Sequence, residues 1–299
     1  MNLIKSFCQV LLLVVLFISC DEAPNSIYVD NFDHEGQIPI DNDSLVNYLK
    51  THYYNTNDGA IWTKGVEAVG SLPLASQTSL YDHPDLETMT GIEVSDVEGT
   101  YTMYSLMLTE GDDANEAGTP SLMDSVYFKY KGFLLDSTAF DNNGTYPNWA
   151  SVSGFVPGFS YGLTKFKGGT KFINPDRTFG HTGFGIGYVF FPSGLGYRNS
   201  AQGLVSASSP LVFKIEVHEV NLSDTDRDGI PSKYEVINNL NGTVDMIDTD
   251  GDGFNDHNDI DDDGDKILTK TEADSNLDGE VSSAELNAYL QLTYPGRFN

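Results

Sequence analysis

The aspartates in the last quarter of the chain recur in an order that suits a hard divalent cation. Asp224-Thr-Asp226-Arg-Asp228-Gly229 is closed by Glu235, and Asp248-Thr-Asp250-Gly-Asp252-Gly253 by Asp259. Asp261-Asp-Asp263-Gly-Asp265 runs to Glu272, and Asp274-Ser-Asn276-Leu-Asp278-Gly279 runs to Glu285. Oxygens at positions 1, 3 and 5, with an acid at position 12, are what a seven-coordinate Ca²⁺ ion takes. The sharp turn at position 6 calls for glycine, which three loops have and the third replaces with Lys266.

A second set of residues implies different chemistry. Val126–Gly132 with Ala139-Phe140-Asp141, then Phe155-Val156-Pro157-Gly158-Phe159, Pro192–Tyr197 and Leu211–Val220 are mainly aromatic or aliphatic. Each has only one or two polar atoms among its rings, so they could shape an apolar pocket without a nucleophile or a metal. Gly162-Leu163 and Phe166-Lys167-Gly168-Gly169 lie between the second and third. In this order, over Thr100–Val220, the segments resemble the FK506-binding-protein (FKBP) type of peptidyl-prolyl isomerase.

The resemblance implies ten site residues. Tyr130 matches the tyrosine of the first core strand, and Phe140 and Asp141 match the family's Phe-Asp pair. Phe155 and Val156 match its Val-Ile, Phe159 the aromatic of the pocket floor, and Tyr197 the Tyr-Gly turn. Leu204 and Val205 match the apolar pair before the last strand, and Phe213 the last ring. Four residues at three places depart from the family's pattern. Phe159 stands where Trp is usual, Arg198 replaces the glycine after the tyrosine, and Ser206-Ala207 replaces Pro-Pro. The implied activity is cis/trans isomerisation of proline-containing polypeptide clients, with no cofactor for catalysis. An X–Pro bond turns slowly because amide resonance opposes twisting, with a barrier of about 18–20 kcal/mol. A pocket that strips water from the carbonyl and grips the pyrrolidine ring favours the twisted amide.

Spacing decides the kind of calcium module. Loops starting at 224, 248, 261 and 274 leave one residue between consecutive twelve-residue units after the second start. Paired EF-hands need a helix on each side of every loop, so the series instead resembles a thrombospondin type 3 array. Only the last loop has an exiting helix, expected over Ser283–Leu292. The alternative is an acidic segment that stays unfolded.

Composition sets the boundaries. The chain has 299 residues and a net charge of −28, which argues against nucleic acid as a partner, since that needs a basic surface. Between Asp224 and Glu285 there are 19 Asp and Glu against 4 Lys and Arg, so the acid is concentrated in a separate module. At the other end, Lys5 precedes the apolar run Val10–Ile18, too short to span a bilayer. Leu16-Phe17-Ile18-Ser19-Cys20 then resembles a bacterial lipobox with Cys20 as the lipid acceptor; an ordinary secretory signal cut near Ser19 is the alternative. The expected organisation is a lipoprotein signal over 1–20, a tether over 21–39 and an extension over 40–99. An isomerase-like domain over 100–220 and calcium repeats over 221–299 complete it. The expected address is the bacterial cell envelope, with the membrane as partner through the lipid.

The elements follow from periodicity. A helix capped by Asp43 or Ser44 is expected through Leu45, Tyr48 and Leu49. Strands are expected over Thr100–Leu108, Val126–Tyr130 and Leu211–Val217, a helix over Pro157–Phe166, and an inserted Gly-rich loop over 173–187. His181 and His218 fall on loop and strand surface. The fold class is α+β, an antiparallel sheet wrapped round one short helix with an irregular calcium-loop extension. A non-catalytic binding or chaperone module in an envelope assembly would use the same fold. A calcium-dependent adhesion protein would need a further recognition domain, for which 52–97 is the one stretch left.

Overall fold

A computed structural model describes residues 31–94, 99–113, 117–239 and 241–294. The signal segment, Cys20 and the tether as far as residue 30 lie outside the described residues. In chain order the elements are α1 (His34–Thr51), β1 (His52–Asn55), β2 (Ala60–Thr63), β3 (Leu86–Ile92), β4 (Tyr101–Thr109) and β5 (Ser125–Phe133). Then come β6 (Ala139–Asn142), β7 (Asn148–Ser151), α2 (Pro157–Leu163), β8 (Thr170–Ile173), β9 (Phe179–Thr182), β10 (Gly185–Phe191) and β11 (Leu211–Asn221). The tail adds β12 (Val236–Asn238), β13 (Val244–Met246), α3 (Thr269–Ala273) and α4 (Ser283–Thr293).

The central sheet runs β3-β4-β10-β11-β5-β6, with β7 also pairing β5, and every pairing is antiparallel. Strands β4 and β10 are buried on both faces over most of their length, which explains their apolar runs, whereas β11 alternates between core and partly exposed positions after Phe213. Period-two alternation sends Val189 and Phe191 to one face and Tyr188 and Phe190 to the other. The first face packs on α2 through Phe159, Leu163 and the following Phe166. Close approach is possible because α2 presents glycine there. A Cβ on Gly158 would lie 2.4 Å from the Phe191 ring, and one on Gly162 2.7 Å from Val189. Helix α2 ends at Leu163, shorter than expected, yet Phe166 stays in the core from the turn that follows.

The second face is covered by α1, whose Leu45, Tyr48 and Leu49 meet Tyr104, Leu106, Tyr188, Phe190 and Val212. This helix begins ten residues before Ser44. Asp33 caps it, accepting from the Gly36 amide at 2.9 Å, and Pro39 lies inside it. Residues 34–39 are therefore helix, not tether. The stretch 52–94 builds no separate recognition domain: β1, β2 and the edge strand β3 belong to the same body as the sheet.

The 173–187 segment is also not a loop. Its first half forms the β8–β9 hairpin and its last residues open β10. The hairpin lies on the sheet face opposite the core rings, where Tyr127, Phe179, His181 and His218 cluster. His181 is not a surface residue either, because it is nearly buried and bonded to Glu219 at 3.1 Å.

Candidate functional site

Seven of the ten expected residues converge on a cavity of about 360 Å³, lined by Tyr130, Asp141, Gly154, Phe155, Val156, Phe159, Tyr197 and Phe213. Strand β5 supplies Tyr130 beside Phe128, both facing α2. Phe159 is the floor, only 2% exposed, with Phe213, Phe155 and Tyr130 edge-on to it at ring separations of 4.7, 4.9 and 5.2 Å. Such packing fixes each ring in one orientation. The Tyr130 hydroxyl donates to Asp141 Oδ2 at 2.9 Å. Burial, then the bond to Asp141, raises the Tyr130 pKa above the ordinary tyrosine value; burial and the Asp141 charge raise that of Tyr197.

Tyr197 is placed by the turn Ser193–Leu195. There the Ser193 carbonyl accepts from the amides of Gly196 and Arg198, both at 2.9 Å. Arg198 takes φ 54, the left-handed conformation that glycine supplies in the resembled family. The turn shape is kept and the arginine bears the strain.

Three expected residues lie outside the pocket lining. Phe140 sits behind it, edge-on to Phe213 at 5.5 Å. Val205 is buried in the core and Leu204 is 63% exposed, because the bridge between Gln202 and Val205 turns Val205 inward and its predecessor outward. Gly154 lines the cavity and was missed, since a glycine before the Phe-Val pair has no signature of its own. A larger cavity of about 700 Å³ opens between β3, α2 and the tail hairpin, but it holds none of the expected residues.

In the tail the four acidic loops share one backbone. The position-1 aspartate accepts from the position-6 amide in each: Gly229 to Asp224, Gly253 to Asp248, Lys266 to Asp261 and Gly279 to Asp274. Lys266 adopts φ 78, close to the 95, 100 and 93 of its glycine counterparts, so the third loop closes despite its lysine. Carboxylates gather as Asp224, Asp226 and Asp228, as Asp248, Asp250 and Asp252, and as Asp261, Asp263 and Asp265.

The closing acids diverge. Glu235 turns into a buried group with Asp228 and Asp262, whereas Asp259 and Glu272 join no such group among the described residues. Glu285 closes a capping box for α4 and accepts from Ser275, Asn276 and Ser282, so both its oxygens have protein partners. Burial pushes Asp228 up to about 8, Glu235 up to about 11 and Asp262 up to about 7.

Residues 116–218 match the family of FKBP-type peptidyl-prolyl cis-trans isomerases. The match contains all ten of the expected residues. A second family, described as BamM C-terminal, matches residues 225–294, which take in both tail helices and the acidic loops except Asp224. Similar solved structures include FkpA from Escherichia coli, 24% identical with a TM-score of 0.31, covering 44% of this chain. The likeness spans about half, 52%, of the FkpA chain. A peptidyl-prolyl cis-trans isomerase from Pseudomonas syringae is 18% identical with a TM-score of 0.35, over 62% of this chain and 95% of that one. The N-terminal domain of an FKBP from Arabidopsis thaliana is 14% identical with a TM-score of 0.31, over 40% of this chain and 86% of that one. No curated protein matches the chain.

The FKBP-like segment and the tail meet on α2. Phe159 faces the cavity, while two residues on Tyr161 meets the tail, its ring about 2.9 Å from where a Cβ on Gly242 would lie. Asn241 completes the seam, its Nδ2 donating to Glu93 Oε2 at 2.8 Å.

Proposed function

We propose that the chain is an FKBP-type peptidyl-prolyl isomerase that assists the folding of exported polypeptides from a lipid anchor at Cys20 in the bacterial cell envelope. The observation that carries this reading is the closed ring of Tyr130, Phe155, Phe159 and Phe213 beneath Tyr197 and Asp141. A proline ring seated on Phe159 loses its water, and the carbonyl of the residue before the proline is held away from the solvent that stabilises the planar amide. The Phe155–Val156 backbone and the Tyr197 hydroxyl position the flanking carbonyls. Asp141 holds the Tyr130 hydroxyl at the wall, and no group transfers a proton. Each 1.4 kcal/mol removed from the barrier gives about a tenfold rate, so modest preference for the twisted amide suffices.

The acidic tail is read as structural, with Ca²⁺ held by its loops. Measured exchange of a Phe-Pro or Leu-Pro test peptide examines the catalytic part. Tyr197→Phe and Asp141→Ala should each lower the rate, and an unchanged rate in both would show that the pocket is wrongly assigned.

A second reading keeps the pocket as a binding site without turnover, within an envelope assembly. The match of 225–294 to BamM C-terminal and the packing of that tail against α2 favour it. Capture of an unfolded client that persists in a variant with no isomerase rate would support this alternative.

A further inference from the structure

We propose that Asp228, Glu235 and Asp262 together hold a Ca²⁺ ion that staples the first acidic loop to the third. This rests on the reading of the tail as a calcium module and adds Asp262 to it; it stands independently of the isomerase reading. The loop pattern gives Asp262, at position 2 of its loop, no part in binding. Yet one carboxylate oxygen from each of the three residues lies within 4.8 Å of the other two. Ligands on opposite sides of a Ca²⁺ ion, each at about 2.4 Å, are separated by about 4.8 Å. The spacing is that of one coordination sphere.

Burial supplies an independent observation. Glu235 is 0% exposed, and Asp228 and Asp262 are each 2% exposed. Both oxygens of Glu235, together with Asp228 Oδ2 and Asp262 Oδ1, have no hydrogen-bond partner. The remaining oxygens are partnered. Asp228 Oδ1 accepts from the Ile230 amide at 2.7 Å, and Asp262 Oδ2 from the Tyr289 hydroxyl at 3.4 Å. Each aspartate therefore has one oxygen bound to protein and one left for the shared point. Three carboxylates shut away from water and unpaired would repel strongly, and no lysine or arginine forms an ion pair with them among the described residues. A cation at the centre removes that penalty.

The donor set selects the ion. All donors are carboxylate oxygens, which disfavours metals that prefer thiolate or imidazole. Mg²⁺ keeps several waters in a strict octahedron, whereas a dry site with a glutamate open at both oxygens suits Ca²⁺. The ion would sit beside the small apolar cluster of Ile230, Tyr289, Leu290 and Tyr294, adding a polar clamp where the tail has little core.

Titrating the metal-free full chain with CaCl₂ by calorimetry tests the staple, using Asp262→Asn against Asp245→Asn, an exposed tail acid outside all four loops. Asp262→Asn should weaken the tightest step on the order of tenfold or more, and Asp245→Asn should leave that step in place. Wild-type binding by Asp262→Asn would overturn the proposal. If that variant is unfolded without metal, hydrogen exchange on the wild type decides. Calcium should then slow exchange in 224–235 and 261–269 at the same concentration. Protection of the first loop at concentrations that leave the third exposed would overturn it equally.

Discussion

Asp41 and Ser193, 152 positions apart, are joined by two short hydrogen bonds: Asp41 Oδ2 accepts from the Ser193 amide at 2.7 Å and from its hydroxyl at 2.6 Å. Asp41 is buried in α1, and its other oxygen accepts from Gln37 at 2.7 Å. The N-terminal helix therefore grips the turn that presents Tyr197. Removing the carboxylate leaves two buried donors unpaired, and bonds to charged groups are worth about 1.5–3 kcal/mol each. Asp41→Ala should destabilise the fold by about 3 kcal/mol in denaturant unfolding and slow isomerisation. Asp41→Asn, which keeps an acceptor, should do less of both. Equal stability of Asp41→Ala and wild type would remove the proposed grip.

Tyr130→Phe isolates the other anchored hydroxyl. It keeps the ring against Phe159 while deleting the 2.9 Å bond to Asp141, whose Oδ1 still accepts from the Asn142 amide at 2.8 Å. The expected loss is about 1 kcal/mol of stability with the cavity intact. A loss as large as that from Phe159→Ala, about 3–5 kcal/mol for a buried ring, would mean that Asp141 does more than orient the hydroxyl.

The pH profile follows from the tyrosines. Burial raises the pKa of both Tyr130 and Tyr197, so their neutral hydroxyls persist further into alkali than in water. A contribution from the neutral form is lost only as pH rises through the raised value, which lies above the ordinary value of about 10. The isomerase rate should be level from about pH 6 to about pH 9. An alkaline limb inside that window would implicate a different group.

Lys266 offers a gain of stability. Its φ of 78 suits glycine, and the equivalent residues in the other loops are Gly229, Gly253 and Gly279. A strained left-handed residue costs on the order of 1 kcal/mol, so Lys266→Gly should raise tail stability by up to about that amount. Thermal unfolding followed in the tail measures it, and a lower midpoint would show that the lysine side chain has an unseen role.

The ring residues and the acidic loops were legible in the sequence because both are local. Strand alternation places Tyr130 and Phe128 on one face, and aspartates two apart accept amides two residues on. The exposure of Leu204 is not legible, because order along the chain does not say which neighbour of a bridge faces inward. The start of helix α1 is hidden in the sequence by Pro39 and the polar run before Leu45, although its first turns are fixed by Asp33 and by the burial of Asp41. The 173–187 segment looked like loop because its glycines mask a hairpin whose partners lie across the sheet. Asp262 was invisible for the same reason: its role depends on Glu235, far along the chain and brought near only by folding.

The proposed activity requires the Phe159 pocket to turn over prolyl bonds. Exchange spectroscopy by NMR on a Phe-Pro peptide, with the full chain present at a small fraction of the peptide concentration, measures this without coupling enzymes. Cis/trans exchange should become much faster than the uncatalysed tens to hundreds of seconds, and Tyr197→Phe should bring it back toward that rate. Exchange at the uncatalysed rate with folded wild-type protein would contradict the account and leave the pocket as a binding site.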